Sequence, residues 1–342
     1  MNIFSKNILA LLGGLAVALF LAELGGQIFL PRPVRNKLPV ILNQADTVCG
    51  YHPKPNQKGY GLSGKITINR WGFRGKDWEK EKKPGNFRSA LLGDSYAFSQ
   101  GVHDEEAFAN ILEQVLNEKA LKGTHFETLN FAVPGYDTGH EIKVLEHHAV
   151  AFQPDMVLLQ FFINDLVYIE GYEFYPRMFE QMNRDFSIWK WQIREWGRTS
   201  PLAMKLWDIA RSNDKGLMRD IIQDYVERNR MPPAGAGSKG WSFVVERFQH
   251  FHELSERYHF QAVLIIMPTP QEIIRGQEAA YSGFLKEKAK EQGIISINLL
   301  EGLHAKPSSK LLIPYDYHLS VEGNRLTGEF LAEFLSKKVF KK

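Results

Sequence analysis

The stretch Ala90-Leu91-Leu92-Gly93-Asp94-Ser95-Tyr96-Ala97-Phe98 decides how the rest of the chain is read. An apolar run stops at a glycine, an acid and a serine, and a helical pattern from Glu105 to Ala120 follows a short loop. That order is strand, tight turn, helix. It sets the Ser95 hydroxyl at the carboxyl end of a strand, where open α/β sheets bind ligands. Gly93 lets the backbone turn sharply, and a nearby helix start offers free N–H groups to a developing anion. Taken alone, a Gly-Asp-Ser turn is more often only a turn, so its partners must be sought downstream.

Working outward, the elements alternate as α/β proteins do. Phe108, Ile111, Leu112 and Val115 make one helical stripe, and Thr128 to Val133 is a short strand ending at Pro134-Gly135. Ile142, Leu145 and Ala149 mark a helix, and Pro154-Asp155 precedes the strand Met156 to Ile163. A helix around Val244 to Leu254, a strand Ala262 to Met267, a helix Ala280 to Gln292 and a strand Ile294 to Ile297 follow, and the helix Val321 to Leu335 comes last. Five apolar strands separated by helices predict a doubly wound, mostly parallel sheet, an α/β/α sandwich. Between Leu166 and Gly240 the alternation stops. Trp189, Trp191, Trp196 and Trp207 fall there, in a helical pattern that reads either as a cap over the site or as an insertion with its own small core.

Three stretches fall where this alternation brings them beside Ser95. Gly135, in Asn130-Phe131-Ala132-Val133-Pro134-Gly135-Tyr136, can present a backbone N–H at close range because no side chain blocks approach. Asn164, in Phe161-Phe162-Ile163-Asn164-Asp165, can offer a carboxamide donor, or can simply cap a turn. In Tyr315-Asp316-Tyr317-His318-Leu319-Ser320, Asp316 and His318 are separated by one residue and can face the same way in an extended loop. A carboxylate holding Nδ1–H fixes the imidazole tautomer and leaves Nε2 to take a proton from a serine hydroxyl.

Together the four stretches resemble the SGNH, or GDSL-type, hydrolase family, in the expected order from about Phe87 to Phe334. The resemblance implies that Ser95 is the nucleophile, Asp316 and His318 the acid and base, and Ser95 N–H, Gly135 N–H and Asn164 the oxyanion donors. It implies no cofactor and no metal. Asn69-x-x-Gly72-Phe73-Arg74 is similar to a feature of membrane-anchored bacterial members. Two positions depart from the family pattern: Tyr96 stands for the usual leucine and Phe162 for the usual glycine, and Phe162 is expected to narrow the pocket. The turn also differs from the lipase elbow Gly-x-Ser-x-Gly, since Ala97 replaces the last glycine.

Composition bounds the remaining possibilities. The chain has 342 residues, a net charge of +3 and one cysteine, Cys49. So small a charge, with no basic stripe interleaved with aromatics, argues against nucleic acid. One cysteine excludes an intramolecular disulfide and is read as excluding a Cys-based metal site. His147-His148 and His250-x-His252 lie in helical patterns without a shared face and are read as solvated.

From Ile8 to Leu30 only Glu23 and Gln27 are strongly polar. Twenty-three helical residues span about 34 Å, enough for a bilayer. The alternative is a cleaved signal peptide, against which no small-x-small site follows the apolar core. The expected organisation is an anchor over 1–30, a linker and hairpin extension over 31–85 and a hydrolase domain over 86–342, with the helical insertion at 166–240. Lys6 on one side faces Arg32, Arg35 and Lys37 on the other, so the charge count argues weakly against an outward-facing body, whereas the resemblance implies a periplasmic one. The expected activity is a serine esterase or acyltransferase acting on O-acyl, above all O-acetyl, groups of an envelope carbohydrate. Alternatives are a lipase or thioesterase for longer acyl esters and a non-catalytic binding protein of the same fold.

Overall fold

The computed structural model describes residues 3–119, 124–166, 188–213, 239–304 and 306–340. Within that range the chain forms two compact units, one of residues 3–35, 188–213 and 314–316, the other of the remainder.

The larger unit is built on the sheet that the sequence predicts. Strands β5 (Asn86–Leu92), β6 (His125–Asn130), β7 (Met156–Phe161), β8 (Gln261–Ile266) and β9 (Ile295–Asn298) pair in the order β6-β5-β7-β8-β9, all parallel. Every residue of β7 is buried, which is what a central strand covered on both faces requires. The strand order reverses at β5: the chain leaves β5 for β6 on one side and then crosses to β7 on the other. The carboxyl ends of β6, β5 and β7 therefore lie side by side, and this switch point is where such sheets open a crevice.

Helices cover the sheet in two packed groups. The helices Phe108–Glu118 and Val321–Lys338 pack on each other, and the helices Thr138–His147, Lys239–Tyr258 and Ala280–Glu291 form the second group. The result is a three-layer α/β/α sandwich. Gly328 shows why the first pair can come close: a Cβ there would stand 2.8 Å from Ile111.

In the stretch 31–85, expected to be a linker and a hairpin, two hairpins form. Strands β1 (Asn43–Asp46) and β2 (Gly50–Pro53) form one antiparallel hairpin, and β3 (Gln57–Gly61) pairs with β4 (Gly64–Ile68) in another. Asn, Gln, Lys, Gly and Pro make poor strands on propensity, so these segments were hidden in sequence; burial of Cys49, Tyr51, Ile66 and Ile68 overrides it. Within the mixed-charge run Lys76 to Lys83, Trp78 is buried and stacks on Phe73. A short helix at Pro270–Arg275 was also missed, although Thr269-Pro-Gln-Glu272 spells a capping box with proline at its start.

The smaller unit contains the N-terminal helix Ile3–Phe29 and the helices Ile188–Gly197 and Pro201–Asn213. Asn7–Phe29 has a mean hydropathy of 2.3 and is long and apolar enough to cross a bilayer. Its polar pair is not idle: Glu23 accepts from the Ser200 hydroxyl at 2.5 Å and from Gln27 at 2.6 Å. Of the expected 166–240 insertion, residues 167–187 and 214–238 lie outside the described residues, as do the side chains of Trp189 and Trp191. Trp196 is 76% exposed and Trp207 is exposed as well, so neither sits in a core of the insertion. The turn Pro314–Asp316 belongs to this same unit, and the Asp208 carboxylate adds to the effect of burial in pushing the Tyr315 phenol pKa up.

Candidate active site

The turn after β5 is held from beneath. Gly93 has no room for a side chain, since a Cβ would stand 2.4 Å from Ala97 and 2.5 Å from Gln160 Oε1. Gln160, in β7, accepts the backbone N–H groups of Asp94 and Ala97, each at 3.2 Å. Asp94 Oδ1 accepts from Tyr96 N–H at 2.8 Å, and Phe98 N–H donates to Asp94 O at 2.9 Å. This wraps residues 94–98 into one helical turn with Ser95 half-buried at its top.

His318 Nε2 stands 2.9 Å from Ser95 Oγ, although 223 residues separate them in sequence. The histidine comes from a tight loop closed by Tyr317 N–H on Ile313 O (2.9 Å) and Ile313 N–H on His318 O (2.8 Å). Tyr317 takes a φ of 72°, a left-handed conformation that a bulky residue rarely adopts and that clusters at functional sites. Asp316 is half-buried at the end of the turn Pro314–Asp316.

Gly135 and Asn164 lie beyond the carboxyl ends of β6 and β7, flanking the serine turn at β5. Gly135 has a φ of 86°, and a Cβ there would stand 2.7 Å from the Tyr51 hydroxyl, so both conformation and space demand glycine. Tyr51 is a residue that sequence reasoning missed. Its hydroxyl donates to Pro134 O at 2.7 Å and its carbonyl accepts from the Tyr136 hydroxyl, so the β1–β2 hairpin braces the Gly135 turn. Asn164 Nδ2 donates to Asp94 Oδ2 at 3.2 Å. A carboxamide has two N–H bonds, so this leaves one for another acceptor and fixes the plane in which it lies.

The two departures from the family pattern meet each other. The Tyr96 ring lies 4.6 Å from that of Phe162 on one side and 5.1 Å from the His318 imidazole on the other. Its hydroxyl donates to Tyr317 O at 3.1 Å. Phe162 is therefore buried against Tyr96, which in turn packs on the His318 ring. The Asn69–Arg74 motif acts nearby: the Arg74 guanidinium, fully buried, donates to the carbonyls of Phe98 (2.5 Å), Ser99 (2.7 Å) and Val102 (2.9 Å) and to Asp104 at 3.0 Å. It ties down the loop that leaves the serine turn.

Behind Asp94 lies a group of buried acids that no sequence signal announced. Asp165 accepts from the Thr138 hydroxyl at 2.9 Å and from Phe162 N–H at 3.3 Å, while neither Glu141 carboxyl oxygen has a partner among the described residues. Burial pushes the Asp94 pKa up, against the Tyr96 N–H and His318, which favour the charged form. Burial, then Asp165, pushes Glu141 well above its ordinary value, and burial, then Asp94, does the same to Asp165.

The expected solvation of the histidine pairs holds only for His147, which is exposed. His250 Nε2 is 2.9 Å from Glu146, and His148 is half-buried with its ring 5.6 Å from that of Phe73. Nor does the single cysteine stand apart: Asp46, Cys49 and His148 converge. Sequence spacing could not show this, because His148 comes from a helix end far along the chain from the hairpin that carries the other two.

No protein-family profile matches the chain, and neither does any curated protein sequence. Among solved structures, the chain is similar to a two-domain esterase active on acetylated mannans (12% identity, 75% of this chain and 50% of that one, TM-score 0.44). It is also similar to the psychrotrophic esterase EstA from Pseudoalteromonas sp. (13%, 74% and 99%, TM-score 0.43). A third is the lipase/acylhydrolase from Enterococcus faecalis (12%, 74% and 96%, TM-score 0.41).

The buried acids give a pH test. An acid whose folded pKa is raised binds its proton more tightly folded than unfolded, so its stabilising contribution is full below the unfolded value, 4.5 for Glu141, and is lost as pH rises toward the folded value. Glu141→Gln keeps the neutral shape and removes this loss. Thermal melts of the variant should fall less steeply than wild type as pH is raised from 4.5; parallel curves would mean that Glu141 carries no such proton.

Proposed function

We propose that this chain is a serine ester hydrolase or acyltransferase of SGNH type. The observation that carries the proposal is the 2.9 Å approach of His318 Nε2 to Ser95 Oγ at the carboxyl end of β5. Ser95 attacks the carbonyl carbon of an ester as His318 takes its proton, and His318 returns that proton to the departing alcohol. Asp316 holds His318 Nδ1–H and so keeps the lone pair of Nε2 toward the serine. The negative charge that develops on the carbonyl oxygen is met by the N–H groups of Ser95 and Gly135 and by the second N–H of Asn164. Water, or a sugar hydroxyl, then attacks the acyl-serine and frees the enzyme.

The substrate assignment, O-acetyl groups on an envelope carbohydrate, rests on the resemblance to membrane-anchored family members rather than on pocket chemistry. With it goes a location: Asn7–Phe29 stays attached as a single-pass anchor and the body faces the periplasm.

Ser95→Ala should abolish both esterase activity and fluorophosphonate labelling while the fold survives. Asn164→Ala leaves nucleophile and base in place and removes one oxyanion donor, so kcat should fall by roughly 10²–10³, about 3–4 kcal/mol, with KM nearly constant. Labelling of Ser95→Ala at the wild-type rate would place the nucleophile elsewhere. Full kcat in Asn164→Ala would remove Asn164 from the oxyanion site.

The location has its own test. Protease added to intact spheroplasts should digest the body and leave the anchor, and the mature chain should retain its N-terminal residues. A body resistant to digestion reverses the orientation, and a mature N-terminus beyond Leu24 means a cleaved signal.

A further inference from the structure

We propose that Asp46, Cys49 and His148 bind Zn²⁺ and clasp the β1–β2 hairpin to the end of the helix Thr138–His147. One ligand atom from each lies within 4.8 Å of the other two. Thiolate, imidazole and carboxylate together are a donor set that suits Zn²⁺, and three protein ligands with a water in the fourth position is one of its regular arrangements. With metal–ligand bonds of about 2.0–2.3 Å, the donors need to draw in by only about 1 Å to meet one ion.

The donors are held for this. Asp46 Oδ1 accepts the N–H groups of Val48 (2.8 Å) and Cys49 (2.6 Å), which closes the hairpin turn and fixes the carboxylate beside the thiol. Its other oxygen is 3.7 Å from His52 Nε2. His52 Nδ1 lies 2.8 Å from Pro53 O, which can only accept, so Nδ1 carries a proton, and Nε2 meets Gln44 Nε2 at 3.2 Å. The rings of His52 and His148 both pack on Phe73, and Gly72 leaves the space that His52 fills. Two residues of the Asn69–Arg74 motif thus floor this cluster, while Arg74 serves the Ser95 loop.

A plain core cysteine would be better off without these neighbours. Cys49 is 1% exposed, and burial, with Asp46 adding to it, pushes its thiol pKa up to about 12. Carboxylate, imidazole and sulfur converge, with Lys143 of the helix Thr138–His147 acting on the thiol. Zn²⁺ supplies the charge: the S–H bond breaks, an S–Zn bond forms and the thiol proton leaves to solvent. The consequence reaches the first site, because the same hairpin carries Tyr51, which braces Pro134-Gly135.

The test uses the full-length chain in detergent with a reductant, measuring Zn²⁺ content by mass spectrometry and Co²⁺ binding by thiolate-to-cobalt absorption. The expected result is one metal per chain with a Kd of about 1 µM or tighter, and a thiolate–cobalt band. Cys49→Ala should erase the band and weaken Zn²⁺ binding by about tenfold or more. Asp46→Asn retains an oxygen for the Val48 and Cys49 N–H groups, so it should weaken binding similarly while the metal-free protein melts as wild type does. Absence of a thiolate–cobalt band in the wild-type protein overturns the proposal. So does Zn²⁺ uptake that neither substitution changes, which would place the metal elsewhere, as at His250, Glu146 and Glu253.

Discussion

Two backbone N–H groups of the serine turn, those of Asp94 and Ala97, end on one oxygen, Gln160 Oε1. That oxygen belongs to the central strand β7, on a side chain wholly buried. In so dry a place an amide left without a partner costs about 1–3 kcal/mol, so the turn cannot drift off Gln160 without penalty. Gly93 is the complementary constraint, because any side chain there would occupy the space of that same oxygen. The serine is thereby registered to β7, and β7 also ends in the loop that carries Asn164. Ser95 and Asn164 thus share one rigid support, which is what a preorganised site demands.

The same support creates an electrostatic difficulty. Asp94 is needed to close the turn through Tyr96 N–H and to orient Asn164, yet it sits above Asp165, Glu141 and Asp137. Several buried carboxylates cannot all ionise at close range. Asp94 receives Tyr96 N–H and Asn164 Nδ2 and faces His318, all of which favour its charged form, whereas Glu141 receives no donor among the described residues. Burial and the neighbouring carboxylates push Glu141 and Asp165 well above their ordinary values.

What was legible in the sequence follows from how locally each feature is encoded. The five strands and their helices are written in periodicity, and the strand order places Gly135 and Asn164 beside Ser95 with no further information. Tyr51 was not legible, and Arg74 was legible only as part of a motif and not in its role, because each bonds to carbonyls tens of residues away. Phe162 was expected only to narrow a pocket. That it packs on Tyr96 required knowing that the first and third blocks face each other. The strands between 43 and 61 were missed for the opposite reason: their composition argues for a loop, and tertiary burial of Cys49 and Tyr51 outweighs it. Asp316 is the reverse case again, read from a two-residue spacing.

Tyr96 links the two ends of this site. Ser95 and His318 are 223 residues apart, and a single 2.9 Å approach between a hydroxyl and an imidazole is a weak tether for a loop. The residue next to the nucleophile adds two more. Its ring lies against the imidazole, and its hydroxyl donates to Tyr317 O. A net hydrogen bond of about 1 kcal/mol and an aromatic contact of about 0.5–1.5 kcal/mol together exceed what fixing one imidazole side chain costs in rotamer freedom. A leucine at position 96 could supply packing but no hydroxyl, and a glycine at 162 would leave the far face of the tyrosine ring without its neighbour. The two departures thus work as a pair: Phe162 holds Tyr96, and Tyr96 holds the loop that brings His318 to the serine.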